Sequence, residues 1–140
     1  MQHRRSVRVI TKIAAMVLPV LLCTQVQAQT ERNDVFTPIG KYMVKGDADC
    51  LSAWFDDNLE VCVSSQESNA SRAQARQILK TFFETYTPRS FDITHTAERA
   101  NMKYALGSLS AGGETFSVTI FVSAKDDGGY RIQQLKIERL

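Results

Sequence analysis

The sequence predicts an α+β domain: a helical hairpin and one long helix packed on a curved antiparallel sheet. Three observations predict it. Ala75, Ile78, Leu79, Phe82, Phe83 and Tyr86 hold one face of a helix for about three turns. Beyond Pro88 the chain alternates apolar with polar residues in four segments separated by turn formers. Short helical patterns precede these strands instead of alternating with them, which is the segregated arrangement of an α+β domain and not a series of βαβ units.

The first residues read as a removable leader. Arg4, Arg5, Arg8 and Lys12 precede an eleven-residue apolar run, IAAMVLPVLLC, and Val26-Gln27-Ala28 supplies small residues for cleavage after Ala28. A membrane span needs about 20 apolar residues, so residues 1–28 are assigned as a signal peptide. Residues 29–33 are a flexible polar tail. Residues 34–140 form a single domain, exported to the periplasm or secreted.

Thr37-Pro38 reads as a cap with proline in the first turn, Ile39, Tyr42 and Met43 form a short stripe, and Gly46 ends the helix. Asp47 caps a second helix in which Leu51, Trp54 and Phe55 recur at helical spacing. Leu59, Val61 and Val63 alternate as a strand, and a short extra strand is expected around Glu67 to Asn69. Ser71 to Gln74 matches a capping box for the long helix, which Pro88 stops. Phe91, Ile93, His95 and Ala97 share one face of the next strand, and Met102, Tyr104 and Leu106 share one face of its successor. Gly112-Gly113 leads into Phe116, Val118, Ile120 and Val122, and Gly128-Gly129 leads into Tyr130 and Ile132. Leu135 and Ile137 change parity, which predicts a bulge near Gln133 and Gln134.

Composition narrows the function classes. The chain is 44% hydrophobic with a net charge of only +2, which excludes a disordered tail. Removing the four basic leader residues leaves 13 basic against 15 acidic side chains, a net charge of −2. That balance gives no footprint for nucleic acid. It also leaves no membrane segment. Cys50 and Cys62 remain in an oxidising setting, either as a disulfide or as two unpaired thiols.

The element order resembles the nuclear-transport-factor-2-like fold, also called the cystatin-like α+β cone, over nearly all of residues 34–140. More narrowly, FTPIGKYMVKGDADCLSAWFDDNLEVCV, QARQILKTFFETYTPRSFDITH and YRIQQLKIE resemble a family of small exported Bacteroidetes proteins of unknown function. The shared positions are glycine turns, core apolars and helix caps, so the resemblance implies fold and export and no reaction. Cys50 and Cys62 stand where it leads one to expect polar residues. Members of the wider fold use the cone mouth as isomerases, dehydratases, small-molecule binders and docking or dimerising modules, and fold alone does not choose.

Candidate chemistry is sparse. His95 is the one histidine outside the leader, and its alternation with Phe91 and Ile93 aims it into the cone as an acid or base. Tyr104 is the candidate donor to an enolate oxygen, and Trp54 completes the candidate pocket. For the carboxylate that an isomerase needs, Asp56, Asp57, Glu60, Asp92, Glu98 and Glu114 all fall at turns or on solvent-facing parity. Cys50, Cys62 and His95 lack the close spacing of a metal site. No cofactor or metal is implied. Asn69-Ala70-Ser71 fits a glycosylation sequon, but Ser71 is better used as a cap. The residues thus support an exported non-enzymatic domain that binds a small apolar ligand or a protein partner, with homodimerisation through the sheet. The alternative is an acid–base enzyme of the isomerase or dehydratase type with His95 in the cone.

Overall fold

The computed structural model describes residues 34–140; the expected signal peptide and polar tail lie outside them. Helix α1 (Phe36–Lys45) starts two residues earlier than Thr37-Pro38 suggests, because the Asp34 carboxylate accepts from the Phe36 N–H at 3.0 Å and from the Thr37 hydroxyl. Pro38 still sits in the first turn, where a missing N–H costs nothing. Gly46 ends α1 with φ +66°, and the Asp47 N–H returns to the Tyr42 carbonyl at 3.0 Å. Asp47 caps α2 (Ala48–Ser52) by accepting from the Cys50 N–H. α2 is shorter than the spacing predicts. Trp54 and Phe55 lie beyond it, because the Trp54 carbonyl accepts from the Ile132 N–H at 2.6 Å and the chain enters the sheet there.

Strand β1 (Phe55–Val63) turns through Ser64 and Ser65, both left-handed with φ +52° and +70°, into β2 (Gln66–Ser71). This is the expected extra strand, joined by a primed two-residue turn. Helix α3 (Arg72–Thr85) opens with the predicted capping box between Ser71 and Gln74. Strands β3 (Pro88–Arg99), β4 (Met102–Ala111), β5 (Glu114–Ala124) and β6 (Tyr130–Arg139) follow. The curved sheet has the order β2-β1-β6-β5-β4-β3. Its neighbours are antiparallel except β1 and β6, which run parallel, so the sheet is mixed and not wholly antiparallel. That pairing needs the long excursion through β2, α3 and the meander, and local alternation does not reveal it.

The helices cover one face of the sheet. Leu79, Phe82 and Phe83 of α3, with Ile39 and Met43 of α1, pack on Phe116, Val118, Ile120, Leu135 and Ile137. The Phe82–Phe116 and Tyr86–Phe116 ring centroids are 5.1 Å apart, so aromatic edges fill the interior between α3 and the sheet. Gln133 is the extra residue of the predicted bulge: Phe121 faces Gln134 while Val122 faces Ile132.

A second bulge overturns the expected face of β3. Ile93 pairs with Gly107 and His95 with Leu106, so Thr94 is inserted and bonds to the Leu106 carbonyl through its hydroxyl. Phe91 and Ile93 face the helices, whereas His95 and Ala97 face outward. β4 is likewise turned. Its buried residues are Ala105, Gly107, Leu109 and Ala111, and Tyr104 and Leu106 lie on the outer face. The reason is steric. Phe91 lies across Gly107 and beneath Gly40 of α1, a passage that only small residues leave open.

The cysteines are separated by the sheet. Cys62 alternates with Val61 and Val63 and points to the face away from α3, opposite Lys136 and Glu67, while Cys50 packs against the helical layer. Cys62 is a free, buried thiol, so the Cys50–Cys62 disulfide is not made. Among the described residues no helix is long and apolar enough to cross a membrane.

Candidate functional site

Of the three residues expected to share a pocket, His95 and Tyr104 meet and Trp54 lies apart from them. His95 and Tyr104 stand on the outer face with ring centroids 6.2 Å apart, and Tyr104 stacks on Phe121 at 5.1 Å. A shallow hollow of about 420 Å³ lies beside Tyr104, Phe121 and Met102. Trp54 is fully buried on the helical side, and its indole N–H has no partner among the described residues. His95 is therefore not in the cone. Nor is a carboxylate, since Ser52 is the one buried polar side chain among the described residues.

The acids near the bulge have a structural task. Asp56, at the head of β1, accepts from Lys125 Nζ at 3.0 Å, from Gln133 Nε2 at 2.5 Å and from the Asp57 N–H at 2.8 Å. Burial alone would raise its carboxyl, but these hydrogen bonds and the lysine charge together hold it below the ordinary carboxylate value. Glu60 accepts from Gln134 in the same way. The two bonds clamp the β6 bulge to β1. Elsewhere burial, then Glu67 and Glu138, push the Cys62 thiol up, and burial with Asp47 pushes the Tyr42 phenol up. No group of three or more metal-ligating side chains occurs among the described residues.

A cavity of about 770 Å³ opens instead between α3 and the β1–β2 hairpin. Its volume is in the range of small-molecule sites, about 300–1,000 Å³. Val61, Val63, Ile78 and Phe82 form an apolar floor. The walls are amides and hydroxyls: Gln66, Ser68 and Asn69 from the hairpin, and Gln74, Gln77 and Thr81 from the helix. No Asp, Glu, Lys, Arg or His lines it. Such walls donate and accept hydrogen bonds without a net field.

At the C-terminal end of α3 the cavity meets a second hollow of about 520 Å³ that contains Ser64, Tyr86 and Arg139. Arg139 donates to the Tyr86 hydroxyl at 2.6 Å and pairs with Glu114 at 3.1 Å. The cation is thus tied down at the rim and kept from the floor.

Sequence reasoning missed this groove, although α3 carries a sign of it. Arg72, Arg76, Lys80 and Glu84 form one charged stripe, while Gln74, Gln77, Thr81 and Thr85 form a separate uncharged polar stripe beside the apolar one. A helix face that simply meets water has no need to sort charged from neutral residues.

The family model for the domain of unknown function DUF4783 matches residues 36–138. This chain belongs to the DUF4783 family. Among solved structures, a DUF4783 protein from Bacteroides uniformis superposes with a TM-score of 0.70 at 20% identity, covering 73% of this chain and 94% of that one. One from Bacteroides ovatus gives 0.69 at 20% identity, covering 73% and 92%. An NTF2-like family protein from Streptomyces avermitilis gives 0.54 at 8% identity, covering 73% and 89%. At these identities the likeness establishes the NTF2-like fold. No curated protein matches the chain.

Proposed function

We propose that this DUF4783 domain is an exported, non-enzymatic binding module whose site is the groove between α3 and the β1–β2 hairpin. The observation that carries the reading is the lining: a cavity of about 770 Å³ with an apolar floor, amide and hydroxyl walls and no carboxylate, amine, guanidinium or imidazole. Acid–base catalysis needs a titrating group within hydrogen-bond reach of the reacting proton, and the one such group lining the groove, the Tyr86 phenol at its end, is engaged by Arg139. A small uncharged ligand or an uncharged segment of a partner protein fits it. Export rests on the leader pattern of residues 1–28.

Native mass spectrometry of the mature protein recovered from its exported fraction tests this reading. Wild type is expected to retain a bound mass that Thr81→Trp, which fills the groove, releases. Retention unaffected by Thr81→Trp would place the ligand elsewhere.

Homodimerisation through the sheet is a second reading, favoured by the outward Tyr104–Phe121 stack and by Met102, which is 46% exposed. Phe121→Lys is expected to abolish self-association seen by sedimentation. A wild-type chain that stays monomeric at high concentration would remove this reading.

A further inference from the structure

The groove's hairpin wall is also a sheet edge. β2 pairs with β1 on one side, and among the described residues nothing pairs with its other side. The turn decides which backbone groups face outward. In a primed two-residue hairpin the residues flanking the turn form a hydrogen-bonded pair, and bonded and non-bonded pairs alternate from there. Val63 with Gln66, Val61 with Ser68 and Leu59 with Ala70 therefore use their backbone groups on each other. The N–H and C=O of Glu67 and Asn69 point away from β1, to the free edge.

Helix α3 lies along this edge. At its start Arg72 donates to the Phe55 carbonyl at the head of β1, and at its end Tyr86 lies beside Ser64 at the tail of β1, so α3 runs antiparallel to β2. Gln74 to Thr85 line the slot over about 17 Å of helix. That length matches about five residues of extended chain. A slot between a helix and a strand edge with outward donors and acceptors suits strand addition, in which backbone bonds give affinity and alternate side chains give specificity.

We propose that the α3–β2 groove takes an extended, uncharged peptide segment of a partner protein as an added strand, paired to the backbone of Glu67 and Asn69. Its inward side chains enter between Gln66 and Ser68 of β2 and Gln77 and Thr81 of α3. An ionised side chain there would lose its water and meet no counter-charge. A saccharide would satisfy the amide walls but leave the ladder of the free edge unused. The proposal rests on the groove reading above and names its occupant.

The full chain, labelled with nitrogen-15, is titrated with an acetylated and amidated hexapeptide of alternating threonine and valine, with its glutamate-for-threonine counterpart, and with maltohexaose. The expected result is that the threonine peptide alone shifts the backbone amides of Glu67 and Asn69 and the side-chain amides of Gln66 and Gln77. Asn69→Pro, which removes one edge donor, is expected to weaken that binding about tenfold or more while Asn69→Ala keeps it. A peptide N-methylated at alternate positions, which leaves the protein unaltered, is expected to lose binding likewise. Equal binding of the glutamate peptide, or indifference to both Asn69→Pro and N-methylation, would overturn the proposal. If maltohexaose moves Gln66 and Gln77 and the peptides do not, the added strand is wrong and the groove reading survives. If no probe moves these groups, the added strand is wrong and the retained-mass experiment judges the groove by itself.

Discussion

Gly107→Ala tests the packing that turns β3 and β4. An added methyl would sit 2.7 Å from the Phe91 ring and 2.8 Å from the Asp92 carbonyl oxygen. Ordinary carbon contacts lie at about 3.5–4.0 Å, so the ring must retreat by about 1 Å. The ring has room to move only on its Gly40 side, where even an added Cβ would stand at 3.4 Å, but the Asp92 carbonyl oxygen is backbone and yields only if β3 shifts. Gly107 is not in the left-handed region, so the cost is steric and not conformational. Overpacking of this kind costs about 1–3 kcal/mol. In a domain of this size that lowers Tm by roughly 5–20 °C, read by circular dichroism of the full chain. Phe91→Leu, which removes the clashing ring atoms, should make the double variant more stable than the sum of the two single losses, by about 0.5–3 kcal/mol. A Tm unchanged by Gly107→Ala, or strictly additive losses, would refute the account of why His95 and Tyr104 lie outside.

Asp56 should give an acid-sensitive contribution. Its folded pKa lies below the unfolded value of 3.8, so its stabilisation is fully present above that value and is lost as pH falls through the folded pKa. Asp56→Asn should accordingly flatten the acid limb of Tm against pH, and an unchanged limb would contradict the clamp to Lys125 and Gln133. In a Cys50→Ser background, Cys62 should react slowly with a thiol reagent while folded and at once when unfolded, because it is buried and its thiol is pushed up. Equal rates in the two states would show that the β1 face is not covered as described.

How far the fold could be read depended on how locally each element is held. The capping box at Ser71, the Asp47 cap, the Gly46 stop and the α3 stripe rest on interactions within a few residues, and they stand as read. The bulge at Gln133 was legible because it shifts the parity of large residues, Leu135 and Ile137. The bulge at Thr94 was not, because the residues past it, His95 and Ala97, carry no strong apolar preference to mark the change of phase. Tyr104 and Leu106 looked like the inner face of β4 because they are larger than Ala105 and Gly107. The inner face needed small residues there to admit Phe91.

The candidate site was less legible than the fold. Its floor, Val61, Val63, Ile78 and Phe82, reads as ordinary core on either element alone. Its walls read as ordinary surface. Only the separation of charged from neutral residues around α3 hinted that one polar face has a different neighbour from the other.

By itself the sequence determined the element order, the caps and turns, the helical and strand periods, and the family framework, since each depends on short-range sterics and hydrogen bonds. Tertiary structure decided the parallel pairing of β1 with β6, the outward turn of His95 and Tyr104, the separation of Cys50 from Cys62, and the neutral groove beside the β2 edge. Each of these depends on which distant segments fill the same space, and a one-dimensional pattern carries no record of that.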